Sequence, residues 1–406
     1  MIRSTIALSV ILALSACDRP SAPSAGPAFF REQPANLLTM LHGATVVDRT
    51  GEFSLRTSAI DAIDGDPSTA WATPPGDFEQ TLTIALAREA SIRRIGIHFG
   101  EGSTKAVSAR SLRFEASGDG MNFAPLGTVE AETKPLTWLT IEPSTATHLR
   151  VTVLAAFDDN AAFAQVPTLL ADGETLSSPP VPDLRGRWRI NDFEATVSTE
   201  EKIVHGVTNE TPPRVFRGAW DGRAIRFAWA QGPDYGVGVM TADSEGKSLN
   251  AKMWHIRAHP PFAAPAWFGE RIGEVVPVTA APQIMDAFFR AEGRFPLHDL
   301  VFDGTSLVPG SGATLRMLAG LIEANPPRTF RFAAHYVSEG SEQEDLAMSR
   351  GRIEALRAEL ARMGVAVDRA GYDAAARRDL RDLPWSEPEL FLNNRIDLEL
   401  VRPSGE

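Results

Sequence analysis

The sequence predicts a multidomain chain: an all-β sandwich first, an antiparallel β unit in the middle, and an α/β sandwich at the end. Three observations carry this. Strand-like alternation broken by Gly and Asp turns runs through residues 35–176. A Trp-rich run with strand spacing occupies 181–275. From 286 to 403 the apolar spacing becomes helical, with strands between the helices. The 406 residues allow several domains, and a 43% hydrophobic content rules out wholesale disorder. A net charge of −12 excludes the basic footprint of a nucleic-acid binder. A single cysteine excludes an internal disulfide framework and a thiolate metal cluster.

Residues 1–16 read as a signal peptide. Thr5 to Leu14 is an apolar run too short to span a bilayer, and it ends in Leu14-Ser15-Ala16-Cys17. Small residues before a cysteine resemble the lipobox of bacterial lipoproteins. That resemblance implies acylation of Cys17 and cleavage just before it; the alternative is an ordinary secretory signal. Residues 17–34 contain a Pro/Ser/Ala-rich stretch that cannot bury a core, and read as a tether off the membrane.

The strand runs of 35–176 include Thr81–Leu86, Ile95–Phe99, Leu112–Ala116 and Leu149–Val153. Two segments are more specific: Ala62-Ile63-Asp64-Gly65-Asp66-Pro67-Ser68-Thr69-Ala70-Trp71 and Ala116-Ser117-Gly118-Asp119-Gly120-Met121-Asn122-Phe123. In that order they resemble the discoidin domain, also called the coagulation factor 5/8 type C or galactose-binding-like fold. The resemblance implies a jelly-roll sandwich with a glycan or partner site at its loops. It also implies a structural Ca²⁺, with side-chain ligands Asp64, Asp66 and Thr69 and a backbone carbonyl at Asp61. Hard oxygen ligands suit that ion. The family's acidic ligand near the domain's end is replaced by Val166-Pro167-Thr168-Leu169-Leu170. A plain Asx turn is the competing reading of the loop.

The middle region carries Trp188, Trp220, Trp229, Trp254 and Trp267. Ile225, Phe227 and Trp229 alternate with polar or small residues, and Asp221-Gly222 marks a hairpin. A small antiparallel barrel or meander with core tryptophans follows. Gly246-Lys247-Ser248 lacks the earlier glycine of a phosphate loop, and His255 and His259 precede Pro260-Pro261, so no helical zinc pair forms.

In the last region Leu315, Leu318, Ala319 and Ile322 form one helical stripe; Leu346, Ser349, Ile353, Leu356, Leu360 and Met363 form another, closed by Gly364. Strands are expected at Thr329–Ala334 and Ile396–Leu400. Val301–Pro309, Ala334–Gly340, Asp345–Arg352 and Asn393–Asp397 stand in the order and spacing of the OmpA-like peptidoglycan-binding domain, which this region resembles. The resemblance implies a grip on the diaminopimelate zwitterion of the wall peptide: an arginine for its carboxylate and an aspartate for its ammonium. Arg352 and Ser349 fill the arginine and serine positions, His335 the histidine, and Asp345 the asparagine. The aspartate position is Val337, so half of the ionic grip is missing, with Asp345, Glu339 and Glu342 the nearest acids. An acid restored at Val337 is expected to strengthen wall binding.

Together these readings describe a lipid-anchored envelope protein, in the outer membrane facing the periplasm, with peptidoglycan and a glycan or envelope protein as partners. No catalytic constellation is legible, so the reading is non-enzymatic. The alternatives are an OmpA-like domain that serves protein–protein assembly without diaminopimelate binding, and an envelope enzyme acting on glycans.

Overall fold

The computed structural model describes residues 36–401, except 77, 101–104, 133, 178–180, 257–261, 264–265, 275–280, 328, 339 and 381–392. Cys17, the signal segment, the tether and Glu339 lie outside the described residues. No helix among the described residues is long and apolar enough to cross a membrane.

The N-terminal module is a jelly-roll-like β fold. Its strands are β1 (Thr45–Arg49), β2 (Trp71–Ala72), β3 (Thr81–His98), β4 (Ala109–Ser117), β5 (Ala124–Glu130), β6 (Leu136–Ala156), β7 (Gln165–Val166) and β8 (Thr168–Thr175). The main sheet runs β1-β3-β6-β4-β5, with β8 on the far half of β3. Thr81–Leu86 and Ile95–Phe99, expected as two strands, are the two ends of one. Irregular pairing between Ala85 and Ala90 and between Ile92 and Arg94 lets β3 bend while staying on β6. Trp71 is fully buried, and its Nε1 donates to the Gly51 carbonyl (3.0 Å), so it belongs to the core.

The middle module is an antiparallel barrel. It comprises β9 (Gly186–Ile190), β10 (Phe193–Glu200), β11 (Ile203–Thr208), β12 (Val215–Trp220), β13 (Ile225–Gln231), β14 (Asp234–Ala242), β15 (Ser248–His255), the short β16 (Phe262–Ala263) and β17 (Trp267–Gly273). Strands β9 to β15 pair in chain order, β17 inserts between β15 and β9, and β14–β15 pairing closes the ring. Trp188, Trp229, Trp267, Phe216, Phe227 and Met240 fill the interior. A barrel of about eight strands is just wide enough to be filled by such side chains. Both faces of β12 and nearly all of β14 are buried, because the outside of the barrel is covered by the neighbouring modules.

The C-terminal module holds α1 (Ala281–Glu292), β18 (Arg294–Pro296), the hairpin β19 (Phe302–Asp303) and β20 (Ser306–Leu307), α2 (Gly312–Ala324), β21 (Phe330–His335), α3 (Glu342–Arg362), β22 (Gly371–Ala376) and β23 (Arg395–Leu400). The sheet order is β18-β23-β21-β22; β21 and β22 are parallel and the other pairs antiparallel. This is the mixed α/β sandwich that the helical stripes and interleaved strands predict. Ser341 caps α3, its hydroxyl accepting the Glu344 N–H while the Glu344 carboxylate accepts the Ser341 N–H. Helix α1 bridges to the barrel: Phe288 meets Tyr235 edge-on at 4.8 Å and Phe295 at 5.3 Å.

A candidate carboxylate-binding cleft where three modules meet

A cleft of about 560 Å³ opens where the three modules meet. Leu41 and His42 come from a short 3-10 helix of the N-terminal module, Asp221, Arg223 and Arg226 from the β12–β13 hairpin, and Phe302, Asp303, Tyr336, Arg352 and Asn394 from the C-terminal module. Two glycines allow the approach. Gly43 takes φ +92°, and a Cβ there would stand 2.5 Å from the Arg223 carbonyl oxygen. A Cβ at Gly351 would stand 2.4 Å from the Thr305 methyl, so α3 can lie close against the β19–β20 hairpin.

Arg352 is the centre of the cleft's chemistry. Its Nε donates to the Gly304 carbonyl (2.9 Å), and its guanidinium lies over the rings of Tyr336 (4.7 Å) and Phe302 (5.4 Å). Among the described residues no carboxylate stands within ion-pair distance of it. Burial, reinforced by the neighbouring Arg226, pushes its pKa down to about 10. A cation whose charged form is disfavoured in this way is poised for an incoming anion. The other charges are arranged differently. Arg226 Nε is 3.5 Å from Asp221 Oδ2, and its Nη1 donates to the Asn394 carbonyl (3.1 Å). Asp221 Oδ1 accepts the backbone N–H groups of Arg223 (2.9 Å) and Ala224 (3.0 Å), so this acid is engaged in the turn.

Of the four residues expected at a wall-binding site, the structure brings only Arg352 to the cleft. Ser349 is fully buried in α3, and its hydroxyl finds no hydrogen-bond partner among the described residues. Asp345 is also buried; it accepts from Arg377 Nε (2.5 Å) and Ser338 Oγ (2.6 Å), which ties the loop before α3 to the end of β22. His335 is buried, with Nδ1 donating to the Arg378 carbonyl (2.7 Å) and Nε2 3.3 Å from Asp397. Val337 is 2% exposed, and its N–H donates to Asn394 Oδ1 (2.8 Å). Glu342 is exposed at the start of α3. Asp345 therefore does not replace the missing acid; its charge is answered inside the fold.

The loop read as a cation site shows a different arrangement. Asp61 Oδ2 accepts the Ser58 N–H (2.9 Å), capping a 3-10 helix, while Thr69 Oγ1 lies 2.8 Å from Asp64 Oδ2 and 2.9 Å from the Asp66 carbonyl. Asp66 Oδ1 accepts from Ser68 N (2.9 Å) and Ser68 Oγ (2.6 Å). Lys252 of β15 reaches in as well, donating from Nζ to Asp61 Oδ1 and to Asp64 Oδ2 (2.8 Å), the oxygen it shares with Thr69. Burial opposes the charge on Lys252, and the two carboxylates more than offset it, holding its pKa above the usual lysine value. Among the described residues no group of three or more His, Cys, Asp or Glu is placed to hold a metal ion.

Two aromatic platforms lie on the N-terminal module. Arg94 covers half-buried Trp138 at 4.7 Å and donates to Asp172 (2.8 Å). Arg150 covers Phe123 at 4.1 Å and makes a bidentate pair with Glu115 (3.0 and 3.1 Å). Phe53, 53% exposed, stands 5.2 Å from Phe163.

Residues 47–166 match the F5/8 type C domain. Similar solved structures include the family 32 carbohydrate-binding module of NanJ from Clostridium perfringens in complex with galactose, at 19% identity and TM-score 0.27, covering 32% of this chain and 98% of that one. The family 32 carbohydrate-binding module of EndoD from Streptococcus pneumoniae is similar at 17% identity and TM-score 0.29, covering 34% and 100%. Chitosan-binding module 2 of a chitosanase/glucanase from Paenibacillus sp. IK-5, in complex with chitotriose, is similar at 20% identity and TM-score 0.28, covering 34% and 100%. No curated protein matches the chain.

Proposed function

We propose that the protein is a non-catalytic binding protein of the cell envelope, lipid-anchored at Cys17, which holds a carboxylate-bearing wall or glycan component in the cleft at Arg352. The observation that carries this is the Arg352 guanidinium, facing the cleft with no carboxylate of the described chain against it. A guanidinium fork suits a carboxylate bidentately, and the aromatic rings beneath it fix its plane. The strand order of the C-terminal sheet and the position of Arg352 at the middle of α3, facing the β19–β20 hairpin, support the OmpA-like reading of this module. The buried Val337 argues against the full zwitterion grip, because a bound ammonium meets an apolar side chain there. Besides Asp221, which is engaged in its turn, the cleft is lined among the described residues by one further acid, Asp303, exposed on the hairpin. The F5/8 type C module supplies a carbohydrate-binding role on a separate surface.

The test is sedimentation of the full-length protein with purified sacculi at low salt. The native protein co-sediments weakly, and Arg352→Ala stays in the supernatant. Sedimentation indifferent to Arg352→Ala overturns the reading and moves the ligand elsewhere.

A further inference from the structure

We infer that Lys252 is the resident cation of the Asp61–Thr69 loop: the middle barrel supplies an ammonium where a discoidin-type loop is expected to take a metal ion. The donor set in place does not fit Ca²⁺, which takes about six to eight oxygens. Asp61 and Asp64 each direct an oxygen at Lys252 Nζ. The Asp66 carboxylate is engaged by Ser68, through both its N–H and its hydroxyl. At the far end of the module, where the resemblance places a further acidic ligand, the apolar Val166 is fully buried and paired with Trp71 across β2 and β7. Asp64, Asp61 and Lys252 are 0%, 3% and 3% exposed, so the ammonium and the two carboxylates that meet it are shielded from solvent together.

The barrel strand is built to deliver this charge. In β15 the side chains of Leu249, Ala251 and Met253 fill the barrel interior, and Asn250 and Lys252 fall on the opposite face. Asn250 grips the edge of the N-terminal module, with Oδ1 accepting the Val46 N–H (2.6 Å) and Nδ2 donating to the Val46 carbonyl (3.1 Å). That pair of bonds mimics a strand partner and fixes the register. Lys252, two residues on, then falls between the two aspartates. Arg49 over the ring of Phe268 at 3.5 Å closes the same interface. A metal would stabilise the loop within one module; the lysine makes the loop's order depend on a second module.

The test uses the full-length protein purified without chelator. The expected result is no retained Ca²⁺ by elemental analysis, and one melting temperature in chelator and in millimolar Ca²⁺, since a ligand that binds only the native state would raise it. Stoichiometric Ca²⁺, or a melting temperature that falls by several degrees in chelator, overturns the inference. A second measurement is a double-mutant cycle in melting temperature with Lys252→Met, Asp64→Asn and both. Partners in contact give a double variant that loses less than the sum of the two singles. Additive losses overturn the inference even if the metal result agrees. Should Lys252→Met fail to fold, the metal measurement on the native protein decides alone.

Discussion

Replacing Arg352 by methionine keeps an apolar stem against Tyr336 and Phe302 and removes the guanidinium. The structure gives this change opposite consequences for stability and for binding. The native pKa of about 10 lies well below the usual arginine value, with burial the main cause and Arg226 the second. A base whose native pKa is depressed gains relative stability only above that pKa, so at neutral pH the whole cost of holding the charge is present. A depression of that size corresponds to about 3 kcal/mol. Water in the open cleft and the bond to Gly304 reduce that, leaving a gain of about 1–2 kcal/mol for Arg352→Met. The same change removes a charge-assisted carboxylate contact of about 1.5–3 kcal/mol, roughly a tenfold to hundredfold loss of affinity. Urea unfolding of the C-terminal transition and sacculus sedimentation, run on the same preparation, read both. A melting midpoint that falls while sedimentation is unchanged refutes the reasoning. Arg352 would then be a strap fastening the β19–β20 hairpin to α3.

Three further outcomes follow from the same packing. Arg217 is a buried cation of β12 that donates to Asp299 Oδ2 (2.7 Å) and Thr314 Oγ1 (3.2 Å) of the C-terminal module; Arg217→Met leaves Asp299 buried without its partner and costs about 3–5 kcal/mol in denaturant unfolding. His205 accepts from Arg217 Nη1 at 3.0 Å, and burial, then Arg217, push its pKa down to about 4; a depressed pKa means stability is intact above the unfolded value of 6.5 and declines as pH falls from there toward 4, by no more than about 3 kcal/mol, and His205→Gln flattens that decline. Val337→Asp buries a carboxylate at a 2% exposed position, so it lowers the melting temperature by an amount of order 2 kcal/mol in stability and gives no gain in wall binding; tighter sedimentation of this variant would show the acid reaching the cleft.

That last outcome reverses the expectation drawn from sequence, and the reason shows where legibility ended. Periodicity located the elements well: the alternation of Ile225, Phe227 and Trp229 became β13, and Ser349, Ile353, Leu356 and Leu360 of the second helical stripe became the buried side of α3, while Leu346 is half-buried and Met363, at the helix's end, is exposed. Motif registration singled out Arg352, which lies on α3 and lines the cleft. It gave no account of which neighbours would lie over that helix, since Arg226 and His42 come from other modules 126 and 310 residues earlier in the chain. Nor could it show that Asp345 would be answered by Arg377, or that His335 would bond the Arg378 carbonyl, because those partners lie beyond β22, more than 30 residues along the chain. Lys252 was the most hidden. A lysine alternating with apolar residues on a barrel strand reads as a solvated outer face, and only the docking of a second module turns that face inward.

The barrel's part in the molecule follows from the two cations on its outer surface. Its interior is filled by aromatic side chains, so its recognition chemistry is confined to the outside. There Lys252 enters two carboxylates of the N-terminal module, and Arg217 enters one of the C-terminal module. Buried ion pairs of this kind add little net stability over apolar contacts, but they specify geometry strongly, because any displaced docking leaves a desolvated charge without its partner. An apolar interface could slide; these two cannot slide without that cost. The 3-10 helix carrying His42, the hairpin carrying Arg226 and the helix carrying Arg352 line a cleft between the modules that these two cations fasten together. Under the proposed function, a lining fastened in this way favours a carboxylate at Arg352, since less ordering is left to oppose its binding.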